Sequence, residues 1–203
     1  NLLDTGSFQI TFNGSWTHDS DGITGDGSTT YANTSFLPTT DNTGFTSSGS
    51  LGIYSLTTGA DGYDMGSETD DVTSPRQTGI IARYTANDDF YAGTPIATYT
   101  QYGGGLNTGA GMYIASTQTL ESIGSIDGEV VISGSVTTYP NSNRDIFIGA
   151  FNSKTGITEY TSRTYAFSFI GSGLTETDHR NLYNAVQTYQ TTLSREISPV
   201  RVL

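Results

Sequence analysis

The 203-residue sequence predicts an all-β sandwich covered by one C-terminal amphipathic helix. Three observations carry that expectation. Short apolar runs with a period of two recur up to about residue 170, as strands in layered sheets require. Turn residues separate about a dozen such runs, with no internal repeat of the length that marks solenoids or propellers. Helical spacing of apolar residues is convincing only once, after Thr175.

Taken in order, residues 1–6 form a short arm, and Phe8, Ile10 and Phe12 alternate with polar neighbours, which predicts a first strand over 7–12. Trp16 and a polar, acidic turn over 18–26 lead into a Thr-rich strand run over 27–36, which carries Tyr31 and Phe36 and which Pro38 ends. After a loop at 41–44, Leu51, Ile53 and Leu56 around Tyr54 mark another strand. A turn at 59–62 precedes a strand over 63–67, with Tyr63 and Met65 expected on one side, and 68–75 is a loop. Ile80, Ile81, Ala82 and Tyr84 give a strand broken at 87–89. Phe90 and Tyr91 begin the next, where Pro95 argues against a central place in a sheet.

Residues 101–111 form the most Gly-rich loop, and 112–116 is the strand that leaves it. Runs 121–126 and 129–134 flank Asp127-Gly128, the strongest short hairpin signal in the chain. A loop at 139–143 enters a strand-like run over 145–151, and 165–170 repeats the alternation. Gly171, Ser172 and Gly173 break that strand, then Thr175 supplies an N-cap and Asp178 an acid in the first helical turn. Leu182, Ala185, Val186, Tyr189 and Leu193 form the expected apolar stripe, leaving Arg180, Asn184, Gln187, Gln190 and Thr191 for water. The tail at 196–203 holds Ile197, Val200, Val202 and Leu203 around Pro199, and is expected to add an edge strand to its own sheet or to a partner's.

The segments IFIGAFN, YAFSFIG and GLTETDHRNLYNAVQTYQTTLSR together resemble the closing segment of concanavalin A-like jelly rolls of the laminin-G type. GITGDGSTTYANTSFLP and LGIYSLTTGADGYDMGS are similar to a subgroup found in virion proteins of tailed bacteriophages, so the resemblance runs from about Trp16 to Arg195. It implies a concanavalin A-like jelly-roll sandwich over 1–203, with a core at about 7–195 and terminal arms at 1–6 and 196–203. It also implies a virion-surface or extracellular setting, with neighbouring copies or other virion proteins as partners in a homo-oligomer. Members of this family include lectins and glucanases, and others have neither activity, so the fold alone does not assign a function.

Composition narrows the field. Charged residues make up 14% of the chain, against roughly 25% in an average globular protein, which leaves a polar but weakly charged surface rich in Gly, Ser, Thr and Asn. A net charge of −12 repels a phosphate backbone, so nucleic acid is not an expected partner. No apolar run approaches the roughly 20 residues of a membrane helix, so membrane insertion is not expected. The absence of cysteine excludes disulfides, thiolate metal sites and a cysteine nucleophile. A start at Asn1, without a signal-peptide pattern, fits a processed product or a fragment of a longer chain.

Three constellations bear on chemistry. Asp61, Asp64, Glu68, Asp70 and Asp71 crowd a loop-rich stretch, and Asp19, Asp21 and Asp26 a second; hard cations such as calcium take oxygens from such groups, although a solvated acidic loop has the same composition. Asp61, Asp64, Glu68 and Asp70 are the candidate metal ligands, and calcium the candidate ion. The paired acids of retaining glucanases, arranged Glu-x-Asp-x-x-Glu on one strand, are missing, and His18 and His179 form no local pair, so no catalytic residue is assigned. His179, in the first helical turn, reads as a surface residue. Tyr99, Tyr102 and Tyr139 sit in or beside Gly- and Asn-rich loops, a mix that gives rigid amphipathic contact area with adaptable hydrogen bonding. Tyr102, Asn107, Tyr139 and Asn141 are therefore the candidate residues for binding cell-surface glycans. The expected role is a non-enzymatic, adhesive or structural surface protein. The alternatives are a carbohydrate-binding module of a secreted bacterial protein or a subunit of an extracellular filament.

Overall fold

The computed structural model describes residues 6, 8–59, 62–70, 77–84, 88–96, 100–102, 108–119, 121–135, 137 and 140–197. Its strands in chain order are β1 (Thr11–Asn13), β2 (Thr17–His18), β3 (Ile23–Thr24), β4 (Tyr31–Asn33), β5 (Ser48–Ser55), β6 (Met65–Glu68), β7 (Gln77–Ile81) and β8 (Phe90–Ile96). They continue as β9 (Thr100–Tyr102), β10 (Gly111–Gln118), β11 (Glu121–Ile126), β12 (Glu129–Ser135), β13 (Phe147–Ile148), β14 (Phe151–Ser153), β15 (Gly156–Thr158) and β16 (Thr164–Gly171). A short helix α1 (Pro38–Asp41) and a 17-residue helix α2 (Glu176–Thr192) complete the set.

The strands form two sheets. One runs β1-β4-β13-β6-β7-β8-β9 with β14 and β15 attached beside β6, and the other runs β12-β11-β10-β5-β16-β3-β2. Pairing is antiparallel apart from a single Asn152–Ser67 bridge between β14 and β6. The sandwich expected from the sequence is therefore present, with its core between the facing sheets. Leu51 and Ile53 of β5, Met65 of β6, Ile80 of β7, Phe90 of β8 and Tyr113 of β10 all point into it and are fully buried. Each such Leu or Ile contributes roughly 1.5–3 kcal/mol through burial.

The second sheet is covered on both faces. Tyr54 alternates with Leu51 and Ile53 along β5 and points away from the sandwich, where it joins Met112, Ile114, Tyr183 and Val186 under α2. Gly52 makes room there for Phe169, since a Cβ would stand 2.0 Å from its ring. Helix α2 begins at a full capping box, in which the Thr175 hydroxyl accepts from the Asp178 N–H at 3.2 Å and the Asp178 carboxylate accepts from the Thr175 N–H at 3.0 Å. Its buried face is His179, Tyr183, Val186 and Gln190. This corrects the expected stripe, because Tyr189 and Leu193 are 54% and 43% exposed. The phase is set by two polar residues that find partners inside, Gln190 donating to the Ala166 carbonyl and His179 bonded to Ser125.

The Asp127-Gly128 hairpin is as expected. Both residues have positive φ, +50° and +80°, the geometry of a type I′ turn. The Asp127 carboxylate accepts from the Met112 N–H at 2.8 Å. Against the expectation from Pro95, β8 lies between β7 and β9, and Pro95 is accommodated because β9 pairs only Phe90–Ala92.

Other strand expectations need correction. The run over 145–151 is two short strands, because Gly149 turns the chain at φ +79°. Trp16 packs against that turn, and a Cβ on Gly149 would stand 2.7 Å from the indole. The first strand starts only at Thr11, and Phe8, Ile10 and Phe12 remain 41%, 38% and 41% exposed. In the run over 27–36 only Tyr31–Asn33 pairs, and Pro38 opens α1. Tyr63 lies outside β6 and points away from the sandwich while Met65 points in, since pairing fixes the alternation only from Met65 on. At the C-terminus, the Ile197 N–H donates to the Tyr54 hydroxyl at 2.7 Å and its carbonyl accepts from Gln187 at 3.0 Å, so the tail starts out against its own helix and sheet. Residues 198–203 and 1–5 lie outside the described residues.

Candidate functional site: an aromatic groove on the outer face of the first sheet

Along β7, Ile80 faces the sandwich, so Ile81 faces outward, and Tyr91 of β8 is its register partner on the same face. Tyr63 and Phe151 join them there. One row along, Gly66, Gly79 and Gly93 are register partners, so three adjacent strands carry no side chain at that level. At Gly66 the gap is required, since a Cβ would stand 2.9 Å from both Tyr63 and Phe151, whose rings stack at 4.1 Å with 27° between their planes. Tyr84 and Tyr91 pack edge to face at 5.6 Å, and Tyr84 is 38% exposed.

These rings floor a groove of about 570 Å³, within the size range of small-ligand sites. Its rim is polar. The Tyr63 hydroxyl donates to Gln77 Oε1 at 3.1 Å, and Glu68 Oε2 accepts from the backbone N–H of Lys154 at 3.0 Å. Lys154 and Thr155 form the turn between β14 and β15, placed by Ser153, whose hydroxyl donates to the Gly156 carbonyl and accepts from the Thr155 N–H. Thr158 and Glu159 continue the rim. Behind Tyr91, the buried Asp89 accepts from Gln101 at 2.9 Å. Burial, and next the Asp89 charge, hold the Tyr91 phenol above its ordinary pKa, so it stays a neutral donor. The groove thus offers aromatic faces, hydroxyls, an amide, two carboxylates and one ammonium.

A second groove, of about 630 Å³, lies beside Phe8, Ile10, Phe36 and Phe169. Thr34 and Ser168 are its polar lining residues, which leaves little to orient a hydroxylated ligand.

The structure assigns the sequence-derived candidates separate places. Asp64 is fully buried, paired with Arg163 at 3.0 Å, and accepts from the Tyr165 hydroxyl at 2.8 Å and the Ala82 N–H at 2.6 Å. Arg163 in turn donates to the carbonyls of Thr57 and Gly59 in one loop and of Gly109 in another, tying both to its own segment. Glu68 reaches the groove, unlike Asp64 and Asp70. Asp70 is paired with Arg144 and Asn143, and the Arg144 hydrogen bond is the main cause of its lowered pKa. Asp19 and Asp26 accept from the backbone of their own turns, and the Thr29 hydroxyl is the main reason the Asp26 carboxyl lies far below its ordinary pKa. Among the described residues, no three His, Cys, Asp or Glu side chains converge on a metal position.

Tyr102 packs partly buried against the sandwich core, and the Asn141 amide donates to the carbonyls of Pro38 and Asn42 at 2.9 and 3.0 Å, clamping α1. Asp61, Asp71, Tyr99, Asn107 and Tyr139 lie outside the described residues. His179, expected at the surface, is fully buried with Nδ1 2.7 Å from the Ser125 hydroxyl. The groove roles of Tyr63, Tyr84, Tyr91, Phe151, Lys154 and Glu159 do not emerge from the sequence. The available signal is Ile80 next to Ile81, an apolar pair on a two-residue period, which requires cover on both faces of the strand.

No protein-family model and no curated protein sequence matches the chain. Solved structures do. The binding domain of botulinum neurotoxin DC in complex with rat synaptotagmin II superposes with a TM-score of 0.59 at 14% identity, covering 91% of this chain and 48% of that one. Domain 4 of AbnA, a GH43 extracellular arabinanase from Geobacillus stearothermophilus, in complex with arabinotriose, gives 0.53 at 16% identity, covering 88% of this chain and 90% of that one. A mutant of Trypanosoma rangeli sialidase displaying trans-sialidase activity gives 0.56 at 13% identity, covering 93% of this chain and 30% of that one. The chain spans about half the length of the neurotoxin domains it matches. At these identities the likeness is one of fold: the chain is an all-β sandwich of two sheets with one C-terminal helix.

Proposed function

We propose that this chain is a non-enzymatic carbohydrate-binding domain working at a virion or cell surface. The observation that carries the proposal is the groove over Tyr63, Tyr84, Tyr91 and Phe151, with its rim of Gln77, Glu68, Lys154 and Glu159. A saccharide ring has an apolar face that an aromatic floor can meet, and hydroxyls that amides and carboxylates orient. One of the similar structures, the arabinanase domain, is in complex with arabinotriose, which supports the choice of ligand class. The finer reading, a homo-oligomeric bacteriophage virion subunit contacting its own copies, draws its support from the sequence resemblance and from the exposed Phe8, Ile10 and Phe12.

The test is a glycan array followed by calorimetric titration of the strongest hit. Tyr91→Ala and Tyr84→Ala are each expected to weaken binding about tenfold, equivalent to about 1.4 kcal/mol. Absence of any glycan ligand, or affinity unchanged in both variants, refutes the proposal. Light scattering over about a hundredfold concentration range tests the finer reading, with a closed oligomer expected and a monomer throughout against it.

A further inference from the structure

The charges around the groove restrict which saccharides it takes. Glu68 and Glu159 share its lining with Lys154, two anions against one cation. Glu68 is only 6% exposed, and the backbone N–H of Lys154 holds its carboxylate at 3.0 Å, so this anion is fixed in direction. The partly exposed Arg83 and Arg144 are already engaged, with Asp88 at 2.6 Å and with Asp70, and Arg163 is buried in the core with Asp64 at 3.0 Å. Among the described residues, Lys154 is the one cation lining the groove, and the chain as a whole carries −12.

A carboxylate accepts hydrogen bonds and donates none, so two neighbouring hydroxyls on a sugar match it, whereas a second carboxylate or a sulfate opposes it. We infer that the groove takes a neutral saccharide presenting vicinal hydroxyls to Glu68 and Glu159, and excludes acidic sugars such as uronates and sialates. This inference rests on the carbohydrate-binding reading above. Glu159 is exposed at the rim, so replacing it alters the field without opening the core.

The experiment uses the full chain on an array where each neutral oligosaccharide is printed beside its sialylated, glucuronate-terminated and sulfated forms. Neutral glycans should bind, and acidic counterparts about fivefold or more weakly; that gap should narrow in about 0.5 M salt, which screens exposed charges beyond about 3–5 Å. Glu159→Gln should narrow it as well, by about twofold or more. Equal or tighter binding of the acidic members overturns the inference and leaves the carbohydrate reading standing. Binding of neither class removes the carbohydrate reading, and the inference falls with it.

Discussion

His179 gives the sharpest test of how the helix is held. It is fully buried beneath α2 with Nδ1 on the Ser125 hydroxyl, and desolvation pushes its pKa down from 6.5 to about 4. The folded protein therefore resists a proton that the unfolded chain accepts. Stability from this group is complete above pH 6.5 and is lost as pH falls through that value towards about 4. A shift of that size, at about 1.4 kcal/mol per pH unit, makes the loss ~3 kcal/mol near pH 4. Urea unfolding of the parent and of His179→Gln, each at about pH 7.5 and about pH 4, isolates the effect. Gln keeps a polar partner for Ser125 but does not titrate, so the parent should lose ~3 kcal/mol more than the variant over this interval. An equal loss in both proteins refutes the reasoning, because it places His179 in contact with water.

Asp64→Ala leaves Arg163 charged and without its carboxylate in the core, and should cost about 3–5 kcal/mol in urea unfolding. A cost below about 1 kcal/mol would mean that water reaches the pair. Thr175→Ala removes one half of the capping box and should lower stability by about 1 kcal/mol, with faster amide hydrogen exchange in the first turn of α2. Unchanged exchange there would show that packing alone fixes the helix start.

Much of the architecture was legible because it follows from local rules. Asp127-Gly128 demands positive φ at two successive positions, and Thr175 with Asp178 closes a capping box whatever surrounds it. What the sequence concealed depends on distant partners. Gly149 reads as one small residue in an alternating run, yet it turns the chain at φ +79°, and Trp16 fills the space a Cβ there would need. His179 and Gln190 look solvent-facing until Ser125 and the Ala166 carbonyl come to meet them, which turns the buried face of α2 away from Tyr189 and Leu193. The acids Asp64, Glu68 and Asp70 are near neighbours in sequence, yet strand alternation and separate partners send one into the core, one to the groove and one to a surface pair with Arg144. The groove itself gathers side chains from several separate segments, and no short motif announces such a site.

The most direct test of the account is to locate a bound saccharide on the protein. Amide chemical shifts of the isotopically labelled chain, followed while a neutral glycan is titrated in, should move at Tyr84, Tyr91, Lys154, Thr155 and Glu159, which come together on the outer face of the first sheet. Shifts confined to the apolar groove beside Phe8 and Phe169, to the surroundings of Tyr102, or to those of Asn141, would contradict it.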